Sequence, residues 1–174
     1  MKTLLQKDSF RKNGGVKFNR STRLPKFQIY FRKYQESQGP IKLFYRFMYR
    51  HYAMKSFIEI PRNTQIGGGL YIGHPYCITI NADTVIGENC NIHKGVTIGQ
   101  ENRGKRAGVP TIGNSVWIGI NSTIVGNITI GDDVLIAPNS YVNCDVPSHS
   151  VVFGNPCVIK QKDNATEKYI NNKI

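Results

Sequence analysis

A parallel β-solenoid preceded by a short helical segment is the fold class this sequence predicts, and three observations predict it. From Ile60 an aliphatic residue returns every sixth position, through Ile66 and Ile72, again at Ile80, Ile86, Ile92 and Ile98, and again from Ile112 through Ile118, Ile124, Ile130 and Ile136 to Val142. A glycine commonly follows this marker. Four positions after it comes a small, β-branched or aliphatic residue, as at Thr64, Leu70, Thr84, Cys90, Val96, Val116 and Ser122. A six-residue period is too long for a helix and too regular for an ordinary sandwich; it suits a solenoid whose hexads each give one strand and one turn. Three hexads close a triangular coil, so the run makes about five coils of an all-β body.

The elements follow in order. Residues 1–38 have scattered charge, a Gly14 and Gly15 pair, Pro25 and no sustained period, and read as loop and short helix. Gly39 and Pro40 then open a helix. Ile41, Phe44, Tyr45, Met48, Tyr49, Tyr52 and Ala53 recur at helical spacing, with Arg46 and Arg50 on the other side. This helix is expected to pack on the end of the solenoid. A two-residue stutter from Ile78 to Ile80 and an insertion from Gly99 to Pro110 interrupt the hexads. A turn through Pro147, Ser148 and His149 precedes the last markers, Val152 and Val158. The resulting division is a basic segment 1–59, a solenoid 60–160 and a tail 161–174, with the helix and the tail as the caps a solenoid needs.

The chain has 174 residues and a formal net charge of +12, placed unevenly. Residues 1–59 hold fourteen Lys and Arg against three Asp and Glu, and the rest is nearly balanced. A basic head on a neutral body suits an anionic partner, or is a solvated lead-in. A membrane surface is one such partner, because the helix interleaves Tyr, Phe and Arg. Nucleic acid fits poorly: the head has no base-reading motif, and its aromatics form a packing stripe. No run approaches the roughly 18 apolar residues of a membrane span, and no signal pattern opens the chain. The expectation is a cytoplasmic protein with at most a peripheral contact at the inner membrane face. Cys77, Cys90, Cys144 and Cys157 lack knuckle or redox spacing, so buried reduced thiols are expected and no metal site.

The motifs of the repeat region carry a resemblance. IPRNTQIGGGLYIGH, VTIGQ, PTIGNSVWIG, GNITIGDDVLIAPNSYV and DVPSHSVVFGNP, between Glu59 and Lys160, resemble the hexapeptide-repeat acyltransferases, and within them the serine acetyltransferase-like branch. The resemblance implies a left-handed β-helix, acetyl-CoA as donor, and a homotrimer with active sites in the grooves between solenoids. It puts the catalytic base at His74 in YIGHPYC and its orienting carboxylate at Glu59, where the family carries aspartate. Histidine suits this chemistry, since neutral imidazole can take the proton of a hydroxyl as it attacks a thioester, and a carboxylate on the other ring nitrogen fixes the tautomer. His93 in NIHKGV is the alternative base or an acceptor contact, because it fills a slot where most hexads place glycine. For the pantetheine arm the matching positions are Gly119, Ile120, Ala137 and Pro138. The resemblance puts Trp117 at the thioester end and Lys160, with Lys162, near the CoA phosphates.

The departures from the family concern the acceptor. Serine acetyltransferases carry an aspartate before the catalytic histidine and an Arg-His pair before the proline that restarts the coils. Here those positions are Gly73, Gly108 and Val109. A zwitterion would lose charge partners worth roughly 2–5 kcal/mol each. The expectation is therefore an O-acetyltransferase of the capsule or exopolysaccharide type, whose acceptor is a small-molecule or lipid-linked glycan. Gly73 opens the site to it, and Arg103, Lys105 and Arg106 reach an acidic sugar or a diphosphate. Serine O-acetyltransferase of cysteine synthesis is the alternative. From another class, a non-catalytic solenoid scaffold for anionic partners also fits.

Overall fold

The computed structural model describes residues 2–15 and 23–174. Hexads 58–153 form the three walls of a triangular prism, one strand per wall per coil. The first wall stacks β1 (Ile58–Glu59), β4 (Ile78–Ile80), β7 (Thr97–Gly99), β10 (Thr123–Val125) and β13 (Tyr141–Val142). The second stacks β2 (Gln65–Ile66), β5 (Val85–Ile86), β8 (Thr111–Ile112) and β11 (Thr129–Ile130). The third stacks β3 (Tyr71–Gly73), β6 (Asn91–His93), β9 (Trp117–Ile118), β12 (Val134–Ile136) and β14 (Ser150–Phe153) in parallel, and closes with β15 (Val158–Gln161) running antiparallel.

Register explains the six-residue period. Ile80, Ile98, Ile124 and Val142 lie in one file; Ile66, Ile86, Ile112 and Ile130 in a second; Ile72, Ile92, Ile118, Ile136 and Val152 in a third. All point inward and are almost wholly excluded from water. Each buried isoleucine contributes about 1.5–3 kcal/mol. The slots four positions on, Thr64, Leu70, Thr84, Cys90, Val96, Val116 and Ser122, are buried with them. Burial pushes the Cys90 thiol up to about 12, so it is an inert filler. The expectation of buried thiols fails for Cys77, which is exposed at the stutter, while Cys144 and Cys157 are half-buried with their sulfurs 3.7 Å apart.

Residues 1–38, read as loop and short helix, hold more helix than that reading gave them. Helices α1 (Leu4–Asn13) and α2 (Lys26–Glu36) occupy the described part, and residues 16–22 lie outside the described residues. Their buried face is partly polar, which is why no apolar period announced them: Asp8, Arg11, Gln28 and Arg32 are all buried. Arg32 meets Asp8 at 2.8 Å with neither side chain exposed. Its five N–H groups donate to Asp8, Gln35 and the carbonyls of Ile66 and Gly67. Asp8 also accepts from Gln28 and from the Leu70 amide. The ion pair thus keys both helices to the first coil, and two of the head's cations, Arg11 and Arg32, belong to the interior rather than to a solvated lead-in.

Helix α3 (Ile41–Lys55) caps the same end, but through fewer residues than its pattern suggested. Tyr49 and Ala53 are buried, and the Tyr49 hydroxyl donates to the Ile60 carbonyl. Tyr52 stacks on Tyr30 of α2 at 5.5 Å. Ile41 and Phe44, read as inward, are exposed, because α2 covers only one flank of α3.

The tail is not a terminal cap either. After β15 it turns back along the third wall, one contact per coil. Ala165 and Thr166 amides donate to Asp133; Tyr169 packs on Trp117 and its carbonyl accepts from Asn91; the Ile174 amide donates to Asn89. It ends against α1, where Arg11 donates to the Asn171 carbonyl. Asp133 is the anchor: burial would raise its pKa, yet hydrogen bonds from Thr166 and His149 hold it below the usual carboxylate value.

Candidate functional site

The stutter determines where His74 sits. Between the third wall and the first, later coils turn from Ile92 to Ile98 or from Ile118 to Ile124, whereas the first turns from Ile72 to Ile80. The two extra residues leave the wall as His74–Cys77. The coil above spans the excursion with two hydrogen bonds, from the Lys94 amide to the Gly73 carbonyl and from the Gly95 amide to the Tyr76 carbonyl. His74 and Cys77 both take left-handed backbone angles, φ 54 and 53, and His74 is exposed. The insertion that breaks the repeat is thus what lifts this imidazole off the prism.

His93 lies one coil above, in register with Gly73. Its ring is half-buried between Tyr71 and Trp117, at 6.4 and 4.6 Å. Burial, and after it the nearby His74, lower its pKa, so it stays neutral at pH 7. Its buried Nε2 has no hydrogen-bond partner. Gly73 is not the opening the sequence suggested. A Cβ added there would lie 3.0 Å from three atoms of the His93 ring, so the imidazole already occupies the space an acidic side chain would need. The pair explains both the glycine and the histidine that replaces glycine one coil later.

Glu59 is exposed on β1, beneath Thr79 of β4. It lines a hollow of about 340 Å³ with Arg50, Arg62, Tyr49 and Met54. Among the described residues no ion pair or hydrogen bond joins it to His74, which the corner excursion carries outward. Arg103, Lys105 and Arg106 sit on a 3₁₀ turn in the insertion, which a Glu101–Gly108 bridge closes. They line a hollow of about 480 Å³ with Val125 and Asn143, at the corner leaving the first wall. His74 occupies the corner entering that wall, so a single chain does not bring the two groups together.

The four pantetheine positions do fall on His74's corner. Successive amides link it coil by coil: Lys94 to Gly73, Asn121 to Lys94, and Asn139 to Ile120. Gly119 is required there, since a Cβ would lie 2.5 Å from the Pro138 nitrogen. Ile120 is half-buried and Pro138 exposed on the rim. Trp117 does not project freely toward this edge; it is wedged between His93 and Tyr169. Lys160 lies on β15 with its ammonium over the Phe153 ring.

Sequence reasoning missed what surrounds His93. Arg11 and Lys12 of α1 and Tyr169 of the tail join Tyr71, Asn91, His93 and Trp117 around a cleft of about 330 Å³. No local signal could have grouped them, because both termini and three coils contribute.

Part of this solenoid is similar to known transferases. The model of the bacterial transferase hexapeptide (six repeats) matches residues 110–144, within the third to fifth coils. The chain is similar to serine acetyltransferases: 38% identical over 106 residues to that of Helicobacter pylori, covering 61% of this chain and 62% of that protein. To that of Staphylococcus xylosus it is 43% identical over 108 residues, covering 61% and 49%. The match thus spans between about half and three fifths of the length of these curated relatives. Among solved structures, the serine acetyltransferase of Neisseria gonorrhoeae superposes with a TM-score of 0.71 at 25% identity, over 98% of this chain and 70% of that one. That of Brucella abortus, at 24% identity and TM-score 0.72, shares the fold. These relatives carry the serine name, not the capsule or exopolysaccharide one that the sequence suggested.

Proposed function

We propose that this chain is an acetyl-CoA-dependent O-acetyltransferase with His74 as general base. The observation that carries the reading is the shared corner: an exposed imidazole in line with the glycine-tightened turns of Gly119, Ile120, Ala137 and Pro138. An acetyl-pantetheine arm lying along that edge brings its thioester toward His74. The imidazole takes the acceptor hydroxyl's proton as the oxygen attacks the carbonyl carbon. The C–S bond then breaks, and the imidazolium returns the proton to the departing thiolate. A backbone N–H aimed at the carbonyl oxygen would stabilise the oxyanion. Neutral His93 holds the neighbouring space and contacts the acceptor.

A homotrimer completes the site in this reading. The insertion's cations leave the opposite corner of the wall, so they reach a His74 only across a groove between neighbouring chains. Glu59, at the position of the orienting acid in serine acetyltransferases, is a positioning residue for His74. Lys160 and Lys162 serve the CoA phosphates from the last coil.

Serine is the acceptor the relatives favour, at 38–43% identity over 106–108 residues. A sugar hydroxyl is the second reading, favoured by one observation: the place beside Gly73 holds a neutral ring, not an acid for an ammonium group. Thiol release from acetyl-CoA, with serine, sugars and nucleotide sugars as acceptors, separates the readings. Turnover with serine and none with sugars establishes the first, and the converse the second. His74→Ala is expected to lower kcat by about 10²–10⁴-fold, and Glu59→Gln to lower kcat more than it raises KM. Loss of activity in His93→Ala with activity kept in His74→Ala overturns the base assignment. No release with any acceptor leaves the scaffold reading.

A further inference from the structure

Helix α3 and its exit turn leave a second apolar face uncovered. Leu43, Phe47, Met54 and Phe57 are 66, 68, 64 and 72% exposed. Leu43, Phe47 and Met54 follow i, i+4 and i+11 with Arg50 among them at i+7, a stripe about a third of a turn round the helix from the buried Tyr49 and Ala53. Phe44 lies about a quarter of a turn further round, and Ile41 beyond it, at 51 and 49% exposed. Half of the large exposed apolar side chains among the described residues come from this one stretch.

The charges beside the stripe have one sign. Helix α3 carries Lys42, Arg46, Arg50 and Lys55 and no acidic residue. Of the head's three acids, Asp8 is buried against Arg32 and Glu36 accepts from the Leu4 amide; only Glu59 is exposed beside the helix. A second copy of this surface would bring four cations against four with only Glu59 to oppose them, whereas an anionic plane complements them. No helix among the described residues is long and apolar enough to cross a membrane. A helix with phenylalanine, leucine and methionine on one side and flanking arginine and lysine is instead built to lie in the headgroup layer.

We infer that α3 is a docking surface for an anionic phospholipid bilayer, with Leu43, Phe47, Met54 and Phe57 inserted below the headgroups and Arg46, Arg50 and Lys55 against the phosphates. The solenoid then stands with its first coil toward the bilayer. The surface is independent of turnover, so its failure would leave the acyltransferase reading intact.

Co-sedimentation of the full chain with phosphatidylglycerol-containing and pure phosphatidylcholine vesicles tests it. Binding is expected to the anionic vesicles and to fall steeply as salt rises from 0.1 to 0.5 M. Arg46→Gln with Lys55→Gln is expected to weaken it about thirty-fold, two cations at the surface. Leu43→Glu with Phe47→Glu is expected to abolish it while circular dichroism and the elution volume stay as in the wild type. Equal binding to both vesicle types, or none, overturns the proposal. So does a Leu43→Glu, Phe47→Glu protein that has lost its oligomeric state, since the face then belongs to another copy of the chain.

Discussion

Between Ile58 and Val152 the same kind of contact is made over and over, an isoleucine or valine stacked on its equivalent one coil away. Between Leu4 and Lys55 each anchoring contact is made once: Asp8 with Arg32, Gln28 with the Leu70 carbonyl, Tyr49 with the Ile60 carbonyl. The solenoid is held by many interchangeable apolar steps, the head by a few polar ones that have no substitute. Repetition tolerates damage, because losing one step leaves its neighbours in place. A buried ion pair does not, because removing one partner strands the other charge in the interior.

Unfolding measurements can break that contrast. Asp8→Ala should cost the most, about 3–5 kcal/mol, since Arg32 loses its counter-charge. Hydrogen exchange should show the loss concentrated in α1 and α2, with the first wall still protected; uniform loss through all coils would mean that head and solenoid unfold as one unit. Ile118→Ala, at the centre of the third file, should cost about 2–5 kcal/mol with exchange spreading only to adjacent coils. Asp133→Asn removes charge-assisted bonds to Thr166 and the Ala165 amide and should cost about 1.5–3 kcal/mol. Limited proteolysis should then cut the tail first.

The smallest effect is that of pH. His93 has a lowered pKa in the folded chain, so below about 6.5 the unfolded chain binds the extra proton more readily. Stability is therefore full above that value and declines as pH falls through it, by less than about 1.4 kcal/mol per unit. Denaturation midpoints at pH 7.5 and 5.5 should converge in His93→Gln; an unchanged decline would assign it to other groups.

The same contrast explains what could be read from the residues alone. The walls were legible because each hexad repeats its own burial pattern within six residues. The stutter at Ile78 was visible as a break, but not as the device that exposes His74, since that depends on what spans it one coil above. Helices α1 and α2 were hidden because Asp8, Arg11, Gln28 and Arg32 take positions where an apolar pattern was sought. Helix α3 is apolar almost all round, so choosing one face concealed Leu43, Phe47 and Met54. The relation of Gly73 to His93 joins residues twenty positions apart in register, so the glycine looked like an omission when it is the seat of a ring.

The returning tail has a consequence of its own. Solenoids commonly gain or lose whole coils, each worth about 4.8 Å of height. Here the segment from Gln161 to Ile174 is fastened level by level, to Asp133 above and to Asn89 and α1 below. It works as a ruler. An extra coil would pull Ile174 away from Asn89, and a missing one would leave slack beside Trp117. The number of coils is thus written a second time, in the spacing of the tail's anchors from Asp133 to Asn89, and the two records must change together.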